Sequence, residues 1–140
     1  LDAAFVSRFT LDPQVVELVT IMGRRGIGVA AVSDDAAEWS SLLRRRFGLE
    51  SFVDPWVVSA EVGALTPSPA MLEEVVRRAG VPPTNCMVLD ADLAGLEAAK
   101  RLGMVTVLIG PSSAGAAGRG HRHAADLSEL LARRSGSVRT

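Results

Sequence analysis

At 140 residues the chain is long enough to bury one core and too short to hold two, so a single domain is expected. Its 48% hydrophobic and 22% charged residues, with a formal net charge of −1, describe an ordinary globular protein and lack the basic footprint of a nucleic-acid partner. No apolar run approaches the roughly 20 residues that span a bilayer and no signal-peptide pattern opens the chain, so no membrane partner is expected. The one cysteine, Cys86, permits no internal disulfide, which points to the cytoplasm and to plain packing for that side chain. A chain that opens on Leu1 rather than methionine is expected to be a processed or excised piece.

Residues 1–10 carry Phe5, Val6 and Phe9, a spacing that suits one helical turn or a short strand equally. Asp12-Pro13 then marks a helix start, an N-cap carboxylate followed by proline, with Val15, Val16, Leu18, Val19 and Met22 as the apolar stripe. Glycines at 23 and 26 end it. Residues 27–32 predict a buried strand, followed by Ser33-Asp34-Asp35 as the cap of a second helix. In that helix Ala36, Trp39, Leu42, Leu43 and Phe47 are expected to face inward, while Arg44, Arg45 and Arg46 face solvent. A third strand is expected over 52–59, after a turn at Asp54-Pro55. Thr66-Pro67-Ser68-Pro69 makes a rigid loop, because each proline denies helix to the residue before it. Met71, Leu72, Val75, Val76 and Ala79 then form the stripe of a helix stopped by Gly80.

The second half is organised around residues 85–104. Four apolar residues, 86–89, predict a strand buried on both faces, with Asp90 and Asp92 at its carboxyl end. Leu93, Leu96, Ala99 and Leu102 recur at helical spacing, and Gly103 supplies a left-handed stop. Residues 104–109 predict a last buried strand, 110–120 a small-residue loop, and 124–134 a terminal helix with Leu127, Leu130 and Leu131 buried; 135–140 are expected to fray. His121 and His123 are placed in the loop, with no carboxylate at ligand spacing in the sequence. Strands alternating with helices mean a Rossmann-like α/β fold, a parallel sheet of about four strands with helices on both faces, over residues 1–134. Right-handed crossovers stack the strand ends on one side, where open α/β sheets bind ligands.

Leu89-Asp90-Ala91-Asp92, followed by Leu96-Glu97-Ala98-Ala99 and Leu102-Gly103-Met104, resembles the fourth motif of the haloacid dehalogenase-like hydrolases and the helix after it. Val32-Ser33-Asp34 resembles the second motif, a strand ending in Ser or Thr. Residues 59–69, through Thr66-Pro67-Ser68-Pro69, resemble the segment around the third, usually read with lysine before Pro-x-Pro. The resemblance implies that family's fold with a cap absent or minimal. It makes Ser33, Asp34 and Thr66 the phosphate-binding candidates, Asp90 and Asp92 the metal candidates, and Mg²⁺ the cofactor.

The chemistry that the resemblance implies needs an aspartate nucleophile on the first strand, a lysine and metal carboxylates, because an anionic nucleophile reaches phosphorus only when the repulsion is neutralised. Here no strand runs into Asp-x-Asp, Thr66 stands at the lysine position, and Ala91 stands where a magnesium carboxylate is usual. The expectation is therefore a catalytically silent domain that binds a protein partner, a second copy of itself or a small phosphorylated ligand. The alternative is a Mg²⁺-dependent phosphatase whose nucleophile strand comes from another segment or subunit. The resemblance places that strand at the centre of the sheet, so either the sheet closes up without it, residues 4–9 fill the place, or the strand is supplied from outside.

Overall fold

The computed structural model describes residues 11–111 and 119–136, which fall into two compact units divided between Gly80 and Val81. The expectations for residues 1–10 and 137–140, and for most of the glycine-rich loop, lie outside the described residues. Among the described residues no helix is long and apolar enough to cross a membrane.

The first unit opens on helix α1, Pro13–Arg24. The Asp12 carboxylate accepts from the Gln14 amide at 2.9 Å, Pro13 begins the first turn, and Val19 and Met22 are buried. Strand β1, Ala31–Ser33, pairs in parallel with β2, Trp56–Val58, and Ser33 lies opposite Val58. Helix α2, Ala37–Phe47, forms the crossover between them. A single helical turn, α3 at Ser59–Val62, follows β2 and ends on Gly63, whose φ of 73° suits glycine. Helix α4, Pro69–Ala79, is capped by Ser68 and packs on both strands. Met71 from α4 and Val57 and Val58 from β2 are fully buried.

The second unit is a three-stranded parallel sheet in the order β3-β4-β5, made of Met87–Asp90, Val105–Ile109 and Arg122–Ala124. Helix α5, Leu93–Arg101, packs on β3 and β4, and helix α6, Leu127–Gly136, follows β5. Leu96 and Leu108 form the core, with Val88 and Leu93 packed against them.

The parallel strands and intervening helices agree with the α/β expectation, with several differences in detail. Among the described residues the strands pair as two sheets, of two and three strands, rather than as one of about four. Residues 27–30 do not join β1; Ile27 is 42% exposed, and the pairing with the β2 side begins where the Asp54 amide donates to the Val29 carbonyl. Residues 52–55 and Ser59 fall outside β2, and Phe52 is exposed. Ser33-Asp34-Asp35 does not cap α2, which starts from Ala36 with no side-chain cap. Of the three arginines Arg45 and Arg46 are exposed and Arg44 is half-buried: its guanidinium lies over the Trp56 ring, 5.4 Å from the centroid, and its Nε donates to the Ser40 carbonyl.

The strand predicted over 86–89 runs from 87 to 90 and is not buried on both faces. Met87 is 37% exposed and the remaining residues are half-buried, because β3 is an edge strand among those described. Cys86 is half-buried and precedes the strand, with its Sγ 3.6 Å from the Pro82 carbonyl; desolvation pushes its thiol pKa up, in keeping with an unreactive role. Arg122–Ala124, read as loop and helix start, is strand β5. Helix α6 starts at Leu127 and includes Ser135 and Gly136, which were expected to fray.

Candidate functional site

The first unit holds Ser33, Asp34 and Thr66. Ser33 is the last residue of β1, and its Oγ accepts from the Trp56 indole Nε1 at 3.1 Å, which leaves the hydroxyl proton to donate elsewhere. Asp34 follows at the strand's carboxyl end. Its carboxylate takes both donors of Thr66: the amide reaches Oδ1 at 2.9 Å and the hydroxyl reaches Oδ2. The structure thus brings Asp34 and Thr66 together, 32 residues apart in sequence, and both are exposed. Thr66 brings no charge and Asp34 brings a negative one, the reverse of what an approaching phosphate requires.

The second unit holds Asp90 and Asp92, at the junction of β3 and α5. Asp90 Oδ1 accepts from the Asp92 amide at 2.9 Å, and Asp92 Oδ1 accepts from the Ala94 amide at 3.1 Å as the N-cap of α5. Asp90 turns Oδ2 toward the first turn of α5, so that a Cβ on Gly95 would lie 2.3 Å from it. Glycine is needed at 95 for that approach. The positive end of the helix favours both carboxylates. As placed, each is engaged with the strand-to-helix junction rather than with the other around a shared cation, and among the described residues no three His, Cys, Asp or Glu side chains gather as a metal set.

A polar cluster that the sequence did not reveal lies toward the amino ends of the same sheet. Thr106 Oγ1 lies 2.6 Å from His121 Nδ1, and His121 Nε2 lies 3.0 Å from Glu97 Oε1. Thr106 and His121 are buried, while Glu97 lies at the rim with Arg119 3.9 Å away. A carboxylate only accepts, so Nε2 carries a proton, and in the neutral ring Nδ1 takes the Thr106 hydroxyl proton. The His121 bond, helped by Lys100 and Arg119, holds the Glu97 carboxyl below its usual range. The register puts Thr106 opposite Val88 and Asp90 opposite Leu108, so the cluster is at the other end of the sheet from the aspartates. No carboxylate accompanies His121 in sequence, yet Glu97 does so in space. His123 instead donates from Nε2 to the Gly110 carbonyl at 2.7 Å.

A parallel-stranded α/β fold with polar residues at the ends of β1 and β3 defines a Rossmann-type class. More particularly, the chain belongs to the haloacid dehalogenase-like hydrolases: a model of that family matches residues 2–103. Solved structures agree. A haloacid dehalogenase phosphatase from Thermococcus onnurineus superposes with a TM-score of 0.77 at 20% identity, over 96% of this chain and 62% of that one. A family hydrolase from Deinococcus radiodurans, with bound phosphate and sodium, gives 0.78 at 20% identity, over 96% and 63%. CbbY from Rhodobacter sphaeroides, in complex with phosphate, gives 0.74 at 26% identity, over 91% and 60%. This chain therefore spans about three fifths of the length of these structures. No curated protein sequence matches it.

Proposed function

We propose that this chain, as it stands, is a catalytically silent haloacid dehalogenase-like domain that works in the cytoplasm as a binding or regulatory module. The observation that carries this reading is the Asp34–Thr66 pair. Where the family resemblance places a lysine, the chain has a threonine whose amide and hydroxyl are both taken up by a carboxylate. A group that should neutralise phosphate charge is replaced by an uncharged one held by a neighbouring carboxylate, and losing such a group from a phosphoryl-transfer site lowers turnover by roughly 10²–10³-fold or more. Asp90 and Asp92 support the same reading, since their hydrogen bonds to the amides of Asp92 and Ala94 account for both without a metal. The test is turnover of an aryl phosphate with Mg²⁺ present, expected to stay at the buffer rate.

One observation favours a second reading, a Mg²⁺-dependent phosphatase completed by a strand from elsewhere. β1 and β3 each pair on one side only among the described residues, and neither contains a buried residue. An apolar strand left half-covered has room for a further strand on its free edge. On this reading Ser33 holds phosphate and Asp90 and Asp92 hold Mg²⁺. Turnover that appears only when a preceding segment or a second subunit is added would support it.

A further inference from the structure

We propose that the Asp34 carboxylate is a built-in occupant of an oxyanion site at the end of β1, and that the wild-type chain rejects phosphate there because of it. This rests on reading that strand end as a binding site, and it adds what the site excludes. Thr66 presents two donors from one residue, and they bracket the two oxygens of a single carboxylate, amide to Oδ1 at 2.9 Å and hydroxyl to Oδ2. Paired donors aimed at two oxygens of one anion are what a phosphate or a ligand carboxylate requires. The donors are set by the loop at Thr66, where the Ser68 amide donates to the Leu65 carbonyl at 2.8 Å and Ser68 in turn caps α4. The acceptor arrives from a different element, the end of β1.

Neither Asp34 nor Thr66 is buried, so the core does not require their bond. Its effect is on what binds. An incoming phosphate meets donors already occupied and a fixed negative charge beside them. At about 4 Å that charge weakens binding of each further unit of negative charge by between about fivefold and about a thousandfold, across the range of dielectrics from bulk water to a protein surface. A ligand for the wild-type site is thus neutral or cationic at the end that meets Asp34.

The experiment follows the backbone amide of residue 66 by NMR during titration with inorganic phosphate, in wild type, Asp34→Ala and Asp34→Ala/Thr66→Val. Wild type should show no saturable shift, Asp34→Ala a saturable one with affinity at least about tenfold higher, and the double variant a weaker one again. Asp34→Asn, which removes the charge and keeps the shape, carries the same comparison if Asp34→Ala does not fold. Equal responses in wild type and the charge-removed variant, or none in either, would overturn the proposal. Aryl phosphate turnover by wild type is read on the same sample: turnover counts against the silent-domain reading, whereas an unresponsive Asp34 variant without turnover counts against this inference alone.

Discussion

Gly95 ties the candidate aspartates to the local backbone more tightly than their spacing suggests. Replacing a helical glycine by alanine ordinarily stabilises by about 0.5–1 kcal/mol. Here the new Cβ would lie 2.3 Å from Asp90 Oδ2, so the carboxylate must swing away and risk its bond from the Asp92 amide. Gly95→Ala is expected to be neutral or destabilising in wild type and stabilising by up to about 1 kcal/mol in an Asp90→Ala background. Chemical denaturation of wild type and the three variants measures the coupling, and simple additivity would contradict this geometry. Glu74 gives a prediction in pH. Arg77 donates to it from Nε at 2.8 Å and Nη2 at 2.6 Å, and Arg78 from Nε at 2.7 Å. These bonds pull its pKa from 4.5 down to about 2. A carboxyl depressed in the folded state adds stability above its unfolded pKa that is lost as pH falls through the folded one, so the loss runs from about 4.5 toward 2. Thermal unfolding of Glu74→Gln should show a flatter pH dependence across that window than wild type; parallel curves would refute the assignment.

Among the elements, α4 was legible in its inner face and its stop. The apolar stripe from Met71 and Gly80 marked these, with Gly80 at φ 68°, whereas Ser68 and Pro69, read as part of a rigid loop, are the cap and first residue of the helix Pro69–Ala79. Helix α5 was legible from Leu93 to its stop at Gly103, whose φ is 90°, and the structure adds Asp92 as its cap. The strands were located but overextended. Apolar runs at 27–32 and 86–89 look fully buried in sequence, whereas burial depends on what packs on a strand's faces as well as along its edges, which composition cannot show. β4, with strands on both sides, has three buried residues, Thr106 to Leu108, and β2, paired on one side and packed by α4, has two, Val57 and Val58, while β1 and β3 have none. β5 was missed because Arg122-His123-Ala124 lacks the apolar signal; it pairs with β4 on the strength of backbone bonds and carries the buried Ala124. Its approach also carries His121 into the cluster with Thr106 and Glu97. Thr106→Val keeps the shape and strips His121 Nδ1 of its buried partner, so it should cost about 1–3 kcal/mol in urea denaturation near neutral pH. A change within experimental scatter would show that the hydroxyl is dispensable.

At the scale of the whole chain, three short ordered motifs located the fold and the ends of its strands, because those motifs mark strand ends and helix starts that the backbone must obey. They did not show what those ends do. Asp34 followed Ser33 as one more candidate for holding phosphate, and only the structure pairs its carboxylate with both donors of Thr66. Asp90 and Asp92 were likewise visible as a pair two residues apart, while their separate hydrogen bonds to the α5 junction emerged from the fold. The silent-domain account is tested most directly by hydrolysis of an aryl phosphate by this chain, with and without Mg²⁺, beside Ser33→Ala and Asp90→Asn. The account predicts the buffer rate in every sample from folded protein. Metal-dependent turnover in wild type that both substitutions abolish would contradict it.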